Sequence, residues 1–558
     1  MCRITNRTIL FIVSVMLSLL LSSCQQGASN VSQPGTSVTP ANSDPSAGAG
    51  DVAASPATEN SKDALQPIEN FRIGTNNFTE GLEATRTSNS DAQLQYCIWE
   101  SLIMRDPYSE KLKLIPGLAQ SWTKINDTTL EFKLRPNVKF HDGTVMDAED
   151  VAFSLNRIFR KAGRDTRFDN AYGRYFNNFD KVEIIDSQTV HISTLRPDPL
   201  MEILLSDLSG AITSKEYAER VGDDEANLHP VGTGPYKVTA FEPSKSAVLE
   251  RFDDYWGEKA PIRKVTFTWM PEVASRVTAI ANNEIDMAIG IPTDQESALG
   301  KQNGVKLIDA AYPLYHVLVM NSLNEYMGNH KKLYQALDLA IDREALNKAL
   351  WNGKGIVPTS LQFPDYGDMY LPDVKTVEYN PEKARQLVRE SGYDGTTIVI
   401  ADRSNYYVNM DLCLQAVIEM WKKIGVNAEL RQVPDINKIP DPEVMIRTWS
   451  NPLYYPDPMG LIDASWSSTI WVSTRKLWQP GDEWFSTLDT ARFSTDVQVR
   501  KDAIRKLNRI AKEQAGFILL YVPHEYVAVR DDISYKIPKN YRAYTISLRD
   551  GEIGRIRK

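Results

Sequence analysis

Aromatic stacking is the chemistry most densely encoded in this chain of 558 residues. Five of its eleven tryptophans, Trp449, Trp466, Trp471, Trp478 and Trp484, fall within one short stretch. Such a cluster can line a pocket with flat platforms for sugar rings, aromatic side chains or other planar groups, or it can pin a long irregular segment onto a core. Covalent chemistry finds far less support. His524-Glu525-Tyr526-Val527-Ala528 begins like a zinc-protease helix but lacks the second His, and the six histidines are scattered along the chain. Gly353-Lys354-Gly355 is not followed by the Ser or Thr of a phosphate-binding loop and reads as a turn. No nucleophile elbow is present, Asp253-Asp254 reads as solvated or capping carboxylates, and His141-Asp142 reads as part of a turn. These residues point to non-covalent binding by a protein that is not an enzyme, with no metal site and no cofactor.

The elements that would carry such binding are legible between Gly117 and Ser154. Leu118-Ala119-Gln120-Ser121-Trp122 precedes Leu130-Glu131-Phe132-Lys133-Leu134-Arg135, whose alternation predicts a half-buried strand. Pro136-Asn137 turns the chain, Val138-Lys139-Phe140 extends again, and Asp142-Gly143 suits a tight turn. Asp147 is placed as an N-cap, and Val151, Leu155, Ile158 and Phe159 recur on one helical face.

In this order the segment resembles the signature of the large extracellular solute-binding proteins of peptide ABC importers. That is family 5, which holds the dipeptide- and oligopeptide-binding proteins. Further segments extend the resemblance over the folded body: Gly232-Thr233-Gly234-Pro235-Tyr236, Arg251 to Gly257 with its Tyr255-Trp256 pair, Asn283-Glu284-Ile285-Asp286, Ala340-Ile341-Asp342-Arg343 and Asn380-Pro381-Glu382-Lys383-Ala384. In the last of these, Asn380 can cap a helix whose Pro381 occupies the tolerated first position.

The N-terminus speaks to compartment. Arg3 and Arg7 precede a mostly apolar run from Ile9 to Leu21, of signal-peptide length and short of the roughly 18 residues a spanning helix needs. Leu21-Ser22-Ser23-Cys24 looks like a bacterial lipobox, which makes 1–23 a lipoprotein signal peptide and Cys24 the lipidated residue. Two or three acyl chains, at about 0.8 kcal/mol per buried methylene, hold a protein on a membrane surface. From 24 to 66 the chain is rich in Ser, Pro, Ala, Thr and Gly, the composition of a disordered tether with an r.m.s. span on the order of 35 Å. The expected location is therefore extracytoplasmic, in the periplasm or on the cell surface. An acidic balance, 72 Asp plus Glu against 63 Lys plus Arg, and no basic stripe argue against a nucleic-acid partner. Cys97 and Cys413 fall in different predicted lobes and read as two buried thiols, a disulfide being the alternative.

The resemblance implies an α/β fold, a two-lobed periplasmic-binding-protein clamp of type II-like form with an additional inserted domain. Mapped onto this chain it places lobe I in 67–105, 226–321 and 524–558, domain II in 106–225 and lobe III in 322–523, with hinge strands near 319–322 and 520–523. It implies a monomer that closes around a peptide or peptide-like solute and delivers it to the permease subunits of an ABC transporter. The segment from Arg447 to Met459 is the implied ligand wall. Arg447, Trp449, Tyr454, Tyr455 and Asp457 are candidate contacts, facing Asn77, Phe78 and Glu80 on lobe I. Relatives that bind peptides carry, after the Trp, an Asp for the ligand's α-ammonium; here Pro452 and Tyr454 stand at the two positions an alignment offers. A free ammonium without a carboxylate is costly in a dry cleft, so the same clamp with a non-peptide solute, a glycoside, opine-like compound or metal chelate, stays open. So does a surface sensor that feeds no permease.

Overall fold

The structure is a computed structural model that describes residues 65–77, 79–84, 94–109, 112–159, 173–403, 406–539, 546–549 and 551–556. The signal segment, Cys24, nearly all of the tether and Phe78 lie outside these residues. Leu65–Gln66, assigned to the tether by composition, forms a strand with Ile553–Ile556, so the last two residues of the expected tether belong to the folded body.

Two large sheets organise the body. The first has seven strands in the order Val305–Ala311, His524–Arg530, Met287–Pro292, Ile68–Thr75, Ile262–Trp269, Ser246–Arg251 and Tyr236–Glu242. Ile68–Thr75 runs parallel to both neighbours, and the other pairs are antiparallel. Every residue of Met287–Pro292 is buried, because the strand is covered on both faces. Met287 and Ile289 enter one core with Phe71, Val265 and Phe267, while Ala288 and Ile291 enter another with Ala279 and Ile280 of the helix Val273–Ala281.

The second sheet has five strands in the order Ala428–Val433, Ile398–Arg403, Ile446–Pro452, Leu314–Met320 and Phe517–Tyr521. Leu314–Met320 is again wholly buried and splits its side chains between two cores. Tyr315, Val317 and Val319 face one, and Leu318 and Met320 face the other.

A four-stranded antiparallel sheet, Ala119–Asn126, Thr129–Leu134, Thr189–Thr194 and Phe179–Asp186, builds the inserted region. Leu130, Phe132 and Leu134 point inward as their alternation predicts, and Asp147 caps the helix Ala148–Asn156 in a capping box with Asp150. The core of this region is continuous with that of the second sheet, and Tyr175 packs against Tyr454 and Tyr455 at the junction. Buried ion pairing reinforces the junction, since Arg492 binds Asp198 while Arg105 donates to the Tyr454 carbonyl at 3.2 Å.

The chain passes between the two large sheets at Tyr312-Pro313 and at Val522-Pro523. The first crossing therefore lies ahead of the expected 319–322. Leu314–Met320, assigned to lobe I from the resemblance, is instead an interior strand of the second sheet, paired on both edges, and its burial throughout suits that position. Cys97 and Cys413 are unpaired and buried in different cores, and burial pushes each thiol up to about 12.

Candidate functional site

A cavity of about 450 Å³ opens between the two large sheets. Its floor on the second sheet is the strand Ile446–Pro452, and the first sheet contributes Asn76, Asn77 and Glu525.

The second-sheet wall is aromatic and cationic. Trp449 stands half-buried between Trp466 and Trp471, edge-to-face with both at centroid separations of 5.4 and 5.0 Å. Trp466 stacks on Phe517 at 3.9 Å and contacts Trp478, which contacts Trp484. The tryptophan cluster thus divides. Trp466, Trp478 and Trp484 are core, and only Trp449 and Trp471 reach the cavity. The Arg447 guanidinium, 4% exposed, lies 4.6 Å from the Trp471 ring centre, and Arg475 approaches the same ring while pairing with Asp441. Burial, aided by repulsion from Arg475, lowers Arg447 to about 10, so it remains charged at neutral pH. Arg403 adds a third guanidinium, exposed at the cavity edge and packed on Tyr406.

His316 sits deeper, 2% exposed, in ring contact with Tyr407 and Tyr521. Burial depresses it to about 3, so the ring is neutral, and neither nitrogen is hydrogen-bonded to the protein. A neutral imidazole offers one donor and one acceptor, the complement of a peptide group. Tyr407 donates to the Ser450 hydroxyl at 3.1 Å beside it.

On the opposite wall Glu525 is 3% exposed, and its Oε2 accepts no hydrogen bond. Its strand pairs with Met287–Pro292 across a register shift between Ala288 and Ile291. There Gly290 adopts φ of +67°, and a Cβ would lie 2.8 Å from the Asn76 side chain. Arg276 attracts Glu525 but donates Nη1 and Nη2 to the carbonyls of Met270, Pro271 and Gly290. Desolvation therefore wins, and the Glu525 carboxyl is pushed up to about 7.

The candidates taken from the sequence scatter. Arg447, Trp449, Tyr454 and Asn77 line the cavity. Glu80 is exposed and lines no part of it, and Phe78 lies outside the described residues. Tyr455 and Asp457 are corrections to the expected wall. Tyr455 is 1% exposed and packs edge-on to Tyr175 within the shared core. Asp457 accepts two hydrogen bonds at 2.8 Å from Arg500 and one from the Met459 amide, which commits it to folding. Glu525 and His316 were missed. The only signal for Glu525 was a His-Glu pair that suggested zinc, but His524 instead pairs with Asp309 at 2.9 Å. Among the described residues no group of three or more His, Cys, Asp or Glu stands together to hold a metal.

Comparison with known proteins agrees with this architecture. The family described as bacterial extracellular solute-binding proteins, family 5 Middle, matches residues 113–473. A glutathione-binding protein, GsiB, of Pectobacterium atrosepticum is 31% identical over 333 residues, which span 58% of this chain and 62% of that protein. The periplasmic binding protein DppA of Helicobacter pylori, solved with the peptide STSA, superposes with a TM-score of 0.77 at 20% identity, covering 88% of this chain and 99% of that one. NikZ of Campylobacter jejuni, solved with Ni(L-His), gives 0.76 at 19% identity, covering 88% and 100%. With a two-lobed α/β fold, a cleft between the lobes and a family match over most of its length, the chain belongs to the bacterial extracellular solute-binding proteins of family 5.

Proposed function

We propose that this chain is an extracytoplasmic solute-binding lipoprotein that captures a small peptide-like solute between its two lobes and delivers it to the permease subunits of an ABC importer. The observation that carries the reading is a cleft lined from both sheets while the chain passes between those sheets at Tyr312-Pro313 and Val522-Pro523. Such a pair of crossings suits hinge closure, in which a ligand favours the closed state by contacts made only when both walls face it. A compact cavity of this volume is roughly 10 Å across, enough for about three residues of extended chain at 3.3–3.6 Å each. Glutathione, the solute for which the curated relatives are named, has this size and carries two carboxylates and one ammonium, groups that the arginines and the buried Glu525 of the cavity lining could receive. Affinity near micromolar, about −8.2 kcal/mol, permits both capture and release.

Lobe I is assigned to the seven-stranded sheet, lobe III to the five-stranded sheet and domain II to the inserted sheet. A thioether-linked lipid on Cys24 and the tether that follows it would keep the monomer near its permease. Native mass spectrometry of the gently purified full-length protein tests the reading. Short co-purified peptides support it, and a single non-peptide mass replaces the substrate while keeping the clamp. For the anchor, Cys24→Ala should move the protein from the membrane to the soluble fraction.

A further inference from the structure

We infer that Glu525 receives the ammonium group of the solute, with the guanidinium wall of Arg447 and Arg403 taking its carboxylate end, so that the ligand is a short zwitterionic peptide laid across the cleft from the first sheet to the second. This rests on the peptide-like reading of the cleft.

Three observations converge on it. First, the wall from Arg447 to Tyr455 contains no carboxylate, and Asp457 just beyond it is consumed by Arg500. Second, Glu525 is almost wholly buried, faces the cavity, and leaves Oε2 without a donor from the protein. An unsatisfied buried carboxylate is costly, and an ammonium, with three donors and a positive charge, is the group that relieves it. The same desolvation that pushes Glu525 up would be reversed by an arriving cation. Third, the far wall presents guanidinium groups, whose planar donors suit a carboxylate, and the neutral His316 lines the same cavity with neither ring nitrogen hydrogen-bonded to the protein. Charge is thus unevenly divided, with guanidinium groups on the second-sheet side, where Asp435 is the one carboxylate among the described lining residues, and Glu525 on the first, which would orient the ligand.

The test titrates trialanine, reduced glutathione and an equimolar tripeptide pool, each free and N-acetylated, into the wild-type protein, Glu525→Gln and Glu525→Asp by calorimetry at pH 8. The wild type is expected to prefer the free peptides by about 30-fold or more, the loss typical of truncating one partner of a buried charged pair. In Glu525→Gln that preference should fall below about 3-fold, with N-acetylated binding little changed. Glu525→Asp, which keeps the charge, should retain the preference and so separates a lost ammonium site from a damaged fold. Equal binding of free and N-acetylated peptides by the wild type would overturn the inference while leaving the peptide reading intact. A preference that persists in Glu525→Gln would also overturn it, placing the amine elsewhere, with Asp435 on the cavity edge as the next carboxylate. If the wild type binds none of the peptides in either form, the peptide reading fails and the inference falls with it.

Discussion

Asp457 and Glu525 are both carboxylates withdrawn from solvent, at 5% and 3% exposure, yet they live in opposite electrostatic conditions. Asp457 is saturated, with both oxygens held by Arg500 and one also by the Met459 amide at the start of the turn Pro458–Gly460. Glu525 has Oε2 bare, receives no hydrogen bond there from Arg276, whose Nη1 and Nη2 go to backbone carbonyls, and has its carboxyl pushed up to about 7. Burial alone therefore does not mark a functional acid. A saturated carboxylate spends its charge on the fold, whereas an unsaturated one facing a cavity holds its charge in reserve for something that arrives from outside. The two also divide by wall, since Asp457 belongs with the second sheet and its shared core while Glu525 belongs to the first sheet.

The largest effect that would break this contrast comes from Arg500. Replacing it in Arg500→Met strands a buried carboxylate, and we expect a loss of about 3–5 kcal/mol in urea unfolding, with ligand affinity of the folded fraction unchanged. A loss below about 1 kcal/mol would mean that Asp457 is not spent on the fold. Glu525 should behave the other way. Its folded form holds the proton more tightly than the unfolded chain does, so its favourable contribution is present below the unfolded value near 4.5 and is lost as pH rises through about 7. Arg276 and Tyr312 face it from within its own lobe, and Arg403, Arg447 and Asp435 share its cavity. Removing the titrating group in Glu525→Gln should let the variant gain on the wild type by roughly 3 kcal/mol between pH 4.5 and 7.5. Urea midpoints taken across that range decide it, and a difference that does not change with pH would return Glu525 to the class of satisfied carboxylates.

Much of the scaffold was legible because it rests on local periodicity. The alternation of Leu130, Phe132 and Leu134, the Asp147 cap and the Asn380-Pro381 helix start are written in neighbouring residues. The crossing at Tyr312-Pro313 was not, since Leu314–Met320 is buried throughout and its mostly apolar sequence carries no mark of which sheet it joins. The site followed the same division. Trp449 and Arg447 stand in a recognisable segment, whereas Glu525 acquires its meaning from residues far away in sequence: Asn76, Arg276 and Gly290 on its own side, and Arg447 across the cavity. Asp457 misled for the complementary reason, because Arg500, which neutralises it, lies on the helix Val497–Gln514 and no short-range pattern connects the two.

Two smaller effects sharpen the contrast between walls. Trp449→Ala removes a ring that reaches the cavity but is held on two sides by other tryptophans. Affinity should fall about tenfold, near 1.4 kcal/mol, while the core of Trp466, Trp478 and Trp484 keeps the lobe folded. Unchanged calorimetric affinity would take Trp449 out of the site and leave Trp471 and Arg447 to form the wall. The smallest expected change is at Glu80, an exposed carboxylate of the first lobe that lines no part of the cavity. Water screens such a charge, so Glu80→Gln should alter binding of a free tripeptide by less than about 0.5 kcal/mol. That null result carries weight only beside the Glu525→Gln titration. If Glu80→Gln weakened binding as much as Glu525→Gln, the first lobe would be acting through its diffuse negative field, and no single buried carboxylate would deserve the assignment. If only Glu525→Gln weakens it, the difference measures what burial and an open acceptor add to a charge that both residues share.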